Sequence, residues 1–318
     1  MQRCFLIAVT FAAAGLLGGC KPDLGAPPSL VVGPRLLAIR GTPPEAKPSD
    51  VMVTYDTLIV DVDGPVTTPD LGWALCKEPH PPAESNIVSS ACLSIPDDAT
   101  GESFTAEIPS DACTNFGPLP SMPGARPADA DVTGGYYQPV RAVWHGAAGD
   151  ETGFALQRII CRIGSIAPTD VAGQYATDYQ PNNNPVLASA VLDPGGTNQP
   201  LFMAAQPTPP LPATVTVGQV VALAADWPEG TAEDFLVYDI PSHALVTQHE
   251  ALRLSWFATG GVFQHDRTGR TESEPETDRF TQNLWTAPLT PGLVHLWLVL
   301  RDSRGGVDFA EAQIDVTP

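Results

Sequence analysis

"GLVHLWLVLRDSRGG", residues 292–306, decides the fold. Val294, Leu296, Leu298 and Leu300 recur at every second position, the period of a strand with one face in a core. Ser303 to Gly306 then supply a turn, and "FAEAQIDV" (309–316) repeats the alternation through Ala312, Ile314 and Val316. Upstream, "ALRLSWFATGGVF" (251–263) places Leu252, Leu254 and Trp256 in phase with them. These side chains form one core, and each large one contributes about 1.5–3 kcal/mol on burial.

The opposite face of the same strands is unusual. Phe257, His295, Trp297, Val299 and Phe309 share it, although the solvated face of an antiparallel sheet is ordinarily polar. Two readings stand. The aromatics form a binding surface, for example for sugar rings, or the other half of the chain or a loop covers them.

The rest of the sequence agrees with an all-β protein. Its 318 residues allow two domains with real cores. They include 34 prolines and 28 glycines, which interrupt a chain that turns often, and no long stretch carries a clean 3.6-residue apolar period. The first half supplies "RLLAIRG" (35–41), "DVMVTYDTLIVDVDG" (50–64), "LGWALC" (71–76), "SFTAEI" (103–108), "YYQPVRAVWH" (136–145) and "GFALQRIICRI" (153–163). A tryptophan in an early central strand, here Trp73, suits an immunoglobulin-like sandwich. A long Pro-rich insertion separates the Trp73 and Tyr136 strands. "APTDVAGQYATDYQPNNN" (167–184) is polar and reads as a linker.

At the N-terminus, Arg3 precedes an apolar run from Cys4 to Leu17, the layout of a secretory signal peptide and too short to span a bilayer. Leu17-Gly18-Gly19-Cys20 resembles the lipobox of bacterial lipoproteins. The resemblance implies acylation of Cys20 after cleavage, and Lys21 in the next position implies the outer membrane. Lys21 to Pro34 reads as a short, proline-extended tether.

Cys76, Cys92, Cys113 and Cys161 then remain. In an exported chain an even number of cysteines points to disulfides, and their wide spacing does not suit a metal site. Of three connectivities, Cys76–Cys92 with Cys113–Cys161 is preferred. The first closes a short loop, and the second ties the insertion to the last strand of its domain.

The formal net charge of -20 argues against nucleic acid and anionic lipid surfaces as partners. No GxSxG, HExxH, P-loop or GxGxxG pattern is present, so no catalytic residue, metal ligand or cofactor is assigned. His243 and His249 sit six apart, which suits neither a helix face nor a compact zinc site. "DVDGPVTTPD" (61–70) lacks the acidic positions of a calcium loop and reads as a turn. The acidic stretches "DADVTGG" (129–135) and "RTESEPETDRF" (270–280) read as solvated loops, with a weak calcium site as the alternative.

The order "SWFATGG", "LWTAP", "VLRDSRGG" resembles bacterial Ig-like and PKD-like modules. With the lipobox, "RLLAIRGTPPEA" and "DVTGGYYQPVRA", the whole chain resembles a group of Gram-negative lipoproteins, a resemblance that brings no activity with it. The expected layout is a signal peptide (1–19), a tether (20–34), a disulfide-containing Ig-like sandwich (35–165), a linker (166–184) and an Ig-like/PKD-like sandwich (185–318). The expected function is non-enzymatic: a lipid-anchored outer-membrane protein that binds or scaffolds another envelope component, protein or glycan. The alternatives are a carbohydrate-binding or adhesion module using Phe257, His295, Trp297 and Phe309, and an enzyme with its site at the domain interface.

Overall fold

The computed structural model describes residues 26–79, 88–117, 136–146, 149–163, 166–193, 195–196, 198–206, 210–273 and 279–318. Residues 1–25, with Cys20 and the expected signal peptide, lie outside them, as do "DADVTGG" and residues 274–278 of the second acidic stretch.

The first domain contains β1 (Arg35–Thr42), β2 (Glu45–Ala46), β3 (Met52–Asp61), β4 (Gly64–Pro65), β5 (Leu71–Leu75), β6 (Ala99–Thr100), β7 (Phe104–Glu107), the short helix α1 (Ala112–Phe116), β8 (Tyr137–Gly146) and β9 (Gly149–Ile159). One sheet joins β1, β3 and β4, with β7 on the other side of β3; the second runs β2-β9-β8-β5-β6. The chain changes sheet at Pro43-Pro44, which cannot donate to a ladder. After them β2 pairs in parallel with the last strand, β9.

Helix α2 (Thr169–Asp178) follows. The second domain contains β10 (Ser189–Asp193), β11 (Gln199–Met203), β12 (Ala213–Thr216), β13 (Val220–Asp226), β14 (Asp234–Asp239), β15 (Ala244–His249), β16 (Leu252–Ala258), β17 (Val262–Phe263), β18 (Arg267–Arg270), β19 (Phe280–Thr286), β20 (Gly292–Asp302) and β21 (Val307–Thr317). Its sheets run β11-β10-β13-β19-β17 and β12-β21-β20-β16-β18, and β14-β15 is a separate hairpin. Here too an early strand, β12, follows prolines (Pro210, Pro212) and pairs in parallel with the last strand, β21. Both domains thus repeat one strand order, that of an immunoglobulin-like sandwich.

The alternating side chains of β16, β20 and β21 all fall in the second core, together with Leu223, Trp285 and Leu187. The first core gathers Trp73, Tyr55 and Phe104, with Phe104 stacked on both other rings, and Ile59, Val140 and Ile159. Cys76 is joined to Cys92 and Cys113 to Cys161. "DVDGPVTTPD" forms the β3–β4 turn.

Two expectations change. The linker is not irregular: it holds α2, whose Tyr175 is buried, as is Tyr179 just after it. The tether is not free along its length. Val31 N donates to Ala258 O at 2.8 Å, and Ala258 N donates to Ser29 O at 2.9 Å, so residues 29–31 lie along the end of β16. Val31 is 1% exposed, because the second domain offers it an apolar seat.

Candidate functional site at the domain junction

The aromatic face is covered. Trp297 and Val299 have no exposure, His295 is also buried, and Phe257 and Phe309 are half-buried. They pack against Leu37 and Ala38 of β1, Leu58 and Val60 of β3, and Val31. The binding-surface reading of Phe257, His295, Trp297 and Phe309 is therefore corrected: the first domain occupies the face that a ligand would need. Strand β20 is buried on both sides, which is why its outward positions are apolar. Sequence alternation assigns the two faces but cannot say what lies against the second.

Polar contacts fix the register of this interface. The Arg40 guanidinium bonds Asp56 at 2.6 Å and Asp308 at 3.0 Å, and lies 4.5 Å from the centre of the Phe309 ring. The ring of His295 stacks 5.8 Å from Trp297, and its Nδ1 is 3.4 Å from Glu311. Gly64 of the β3–β4 turn approaches His295 at φ +121°, where a Cβ would stand 3.0 Å from the ring.

Beside this apolar layer lies a buried ionic network. Arg304, in the β20–β21 turn, donates from Nε to Glu250 at 2.6 Å and from Nη2 to Glu233 at 2.6 Å. Its Nη1 donates to Gln180 O and lies 3.6 Å from Glu45 of the first domain. Glu45 accepts from Arg158 Nε at 3.1 Å, from the Tyr179 hydroxyl at 2.7 Å and from Asn182 N at 2.8 Å. Asp302 accepts from the backbone N–H of Arg304 and Gly306, and from Asn182 Nδ2. A Cβ on Gly306 would overlap the Asp302 carboxylate and Pro185, so this turn requires glycine.

The electrostatics follow from the geometry. Three carboxyl groups (Glu45, Glu233, Glu250) share two guanidinium groups (Arg158, Arg304), and a fourth, Asp302, is held beside them by backbone N–H groups and Asn182. Burial, reinforced by Asp302, pushes Glu250 up to about 7 against the pull of Arg304. Burial also pushes Asp302 up. Burial works against the charged form of Arg304, but Glu250 and Tyr179 together offset it and the net direction is upward.

A third layer closes the other side. Tyr175 of α2 and Tyr179 at its C-terminal end, 4.7 Å apart, pack with Ile163 and Tyr238, with Ile160, Ile166, Leu236 and Leu245 around them. The β14-β15 hairpin thus reaches from the second domain back to the linker helix. His243 and His249 belong to it: His243 Nδ1 is 3.1 Å from the Tyr238 hydroxyl, and His249 Nδ1 is 2.7 Å from Asp234. These contacts hold the hairpin.

At the edge of the junction β1 and β9 diverge and leave a crevice of about 340 Å³. Leu36, Phe154, Leu156, Arg301 and Val307 line it. A second, open cavity of about 720 Å³ lies in the first domain between Leu75 and Phe104, rimmed by Lys77, Asp98, Glu107 and Asp111. Among the described residues no His/Cys/Asp/Glu group has the form of a metal site, and no helix is long and apolar enough to cross a membrane.

Sequence reasoning missed the ionic network. Glu45, Arg158, Glu250 and Arg304 come from four separate segments and carry no shared motif. The one available signal was the lone Arg304 in a turn otherwise made of small residues.

No protein-family model matches this chain, and no curated protein does. Among solved structures it is similar to a chimeric titin Z1Z2 functionalized with a KLER peptide from decorin, at 10% identity over 91% of this chain and 98% of that one, with a TM-score of 0.20. It is similar to domains 4 and 5 of the S-layer protein SbsC, at 9% identity over 89% and 100%, with a TM-score of 0.21. It is also similar to the Yersinia pseudotuberculosis adhesin InvE, at 11% identity over 88% and 58%, with a TM-score of 0.21. The fold assignment rests on the strand order described above.

Proposed function

We propose that this protein is a non-enzymatic, lipid-anchored envelope protein that presents a rigid two-domain body to another envelope component. The observation that carries this reading is the domain junction. Domains joined by a linker ordinarily move relative to one another. Here an apolar layer, a buried ionic network and the α2 layer join them. A body of fixed shape suits holding or docking a partner, and the centre of the interface is filled with side chains bonded to one another.

The anchor reading takes Cys20 as the acylated residue and the outer membrane as the location. Acyl chains stabilise membrane attachment by about 0.8 kcal/mol per buried CH₂. Residues 29–31 are docked on β16, so only the stretch from Cys20 to Pro28 is left as spacer. Fully extended it reaches about 30 Å, which keeps the junction close to the bilayer. The partner is an envelope protein or glycan that meets the outer surfaces of the two sandwiches. A glycan would not stack on Trp297, which is buried.

The test combines membrane fractionation and protease shaving of wild type and Cys20→Ser with cross-linking of intact envelopes. The expected result is an acylated N-terminus at Cys20, release of Cys20→Ser from the membrane fraction, and one reproducible cross-linked partner. An unmodified N-terminus overturns the anchor. Envelopes that yield no partner overturn the scaffold.

A further inference from the structure

Basic residues are scarce in this chain, with 16 Lys and Arg against 36 Asp and Glu, yet three arginines share one sheet face. The antiparallel pairing of β16 with β20 sets Arg253 directly opposite Arg301. The pairing of β16 with β18 sets Arg267 opposite Ser255, one step along the same face. Directly opposed residues have Cβ atoms about 5 Å apart, and like charges there are destabilising.

Among the described residues no carboxylate pairs with them. Arg40, Arg141, Arg158, Arg279 and Arg304 each have an acidic partner. Among the described residues, no ion pair involves Arg253, Arg267 or Arg301. Asp266 precedes Arg267 in sequence without pairing to it, and Glu151 of β9 is engaged by the Leu36 N–H. Arg253 and Arg267 are exposed, whereas Arg301 is half-buried and donates from Nη2 to Leu37 O at 2.8 Å. Burial, and then the charge of Arg267, pull the Arg301 pKa down. A desolvated cation without a counter-charge is costly.

Arg301 also lines the crevice between β1 and β9, whose walls include Leu36, Phe154, Leu156 and Val307. Its volume of about 340 Å³ is at the small end for ligand sites, roughly 300–1,000 Å³.

We propose that Arg253, Arg267 and Arg301, with this crevice, form a binding site for a phosphate-bearing amphiphile. The phosphate oxygens lie among the three guanidinium groups, and the apolar substituent enters the crevice. Guanidinium forks match phosphate oxygens in pairs, and three cations suit a dianion better than a carboxylate. The acidic net charge disfavours extended polyanionic surfaces. It does not oppose a small ligand at this patch, because salt screens charges beyond about 8–10 Å. The site spans both domains, through Arg301 and Val307 on one side and Leu36 and Leu156 on the other, and it requires no anchor.

Titration calorimetry tests this on the full chain carrying Cys20→Ser, so that no attached acyl chain competes. The probes are inorganic phosphate, octyl phosphate and octanol. Octyl phosphate is expected to bind one per chain, about tenfold or more tighter than either of the others, and more weakly as salt rises. Arg301→Gln loses about tenfold, and the exposed pair Arg253→Gln/Arg267→Gln loses a similar factor without affecting the fold. Leu156→Trp, which fills the crevice from its half-buried wall, weakens octyl phosphate and leaves inorganic phosphate unchanged. Equal affinity for octyl phosphate and octanol overturns the guanidinium role. Equal affinity for octyl and inorganic phosphate overturns the crevice. Wild-type affinity in Arg253→Gln/Arg267→Gln overturns the site.

Discussion

Glu250 and Arg304 meet at 2.6 Å with almost no exposure on either side chain, the first preceding β16 and the second in the β20–β21 turn. Their contact closes a network that continues through Glu45 and Arg158 into the first domain. Removing one partner leaves the other charge buried and unpaired. Arg304→Ala is therefore expected to cost about 3–5 kcal/mol. Urea denaturation measures the loss, and small-angle scattering should show the two domains separating. Arg304→Met, which keeps volume but adds no charge, leaves the carboxylates just as unpaired and should cost a similar amount.

The network also sets a pH dependence. Glu250 is held near 7 in the folded state, above the ordinary carboxyl value, so between these values the folded chain binds more protons than the unfolded chain. The contribution is fully present below the unfolded carboxyl pKa and is lost as pH rises through about 7. Asp302, also pushed up, acts with the same sign. The urea midpoint is expected to fall between mildly acidic and mildly alkaline pH, and Glu250→Gln should flatten that slope. A midpoint that rises over the same window in wild type would contradict the assignment.

Trp297 is wholly buried between the two domains. Trp297→Ala is expected to cost about 3–5 kcal/mol through the cavity it leaves. The loss should appear chiefly as weakened domain docking. Limited proteolysis should cut within the 166–184 connection in the variant and not in wild type.

The two disulfides should differ in worth. Cys113–Cys161 spans 48 residues and Cys76–Cys92 spans 16. Loop-closure entropy gives about 3 kcal/mol for the shorter and about 4 kcal/mol for the longer. Paired serine substitutions, compared by denaturation, should rank in that order.

Particular residues show how much of this was legible in advance. The core-facing set Leu252, Leu254, Trp256, Val294, Leu296, Leu298, Leu300, Ala312, Ile314 and Val316 follows directly from alternation, because a strand can turn only every second side chain inward. Helix α2 was not legible. Its sequence is polar and carries a glycine, Gly173, and its stability comes from Tyr175 and Tyr179 packing on groups that arrive from both domains. The hairpin β14-β15 was hidden for the same reason.

The sequence by itself determined two sandwiches, their inward faces and four cysteines suited to bridging, since strand periodicity, proline turns and cysteine spacing are local properties. Only the tertiary structure decided that Trp297 faces the first domain rather than solvent, that Glu45 meets Arg158 and Arg304, and that Arg253 opposes Arg301. Those relationships join residues up to some 260 positions apart, and no local pattern encodes which surface will cover another.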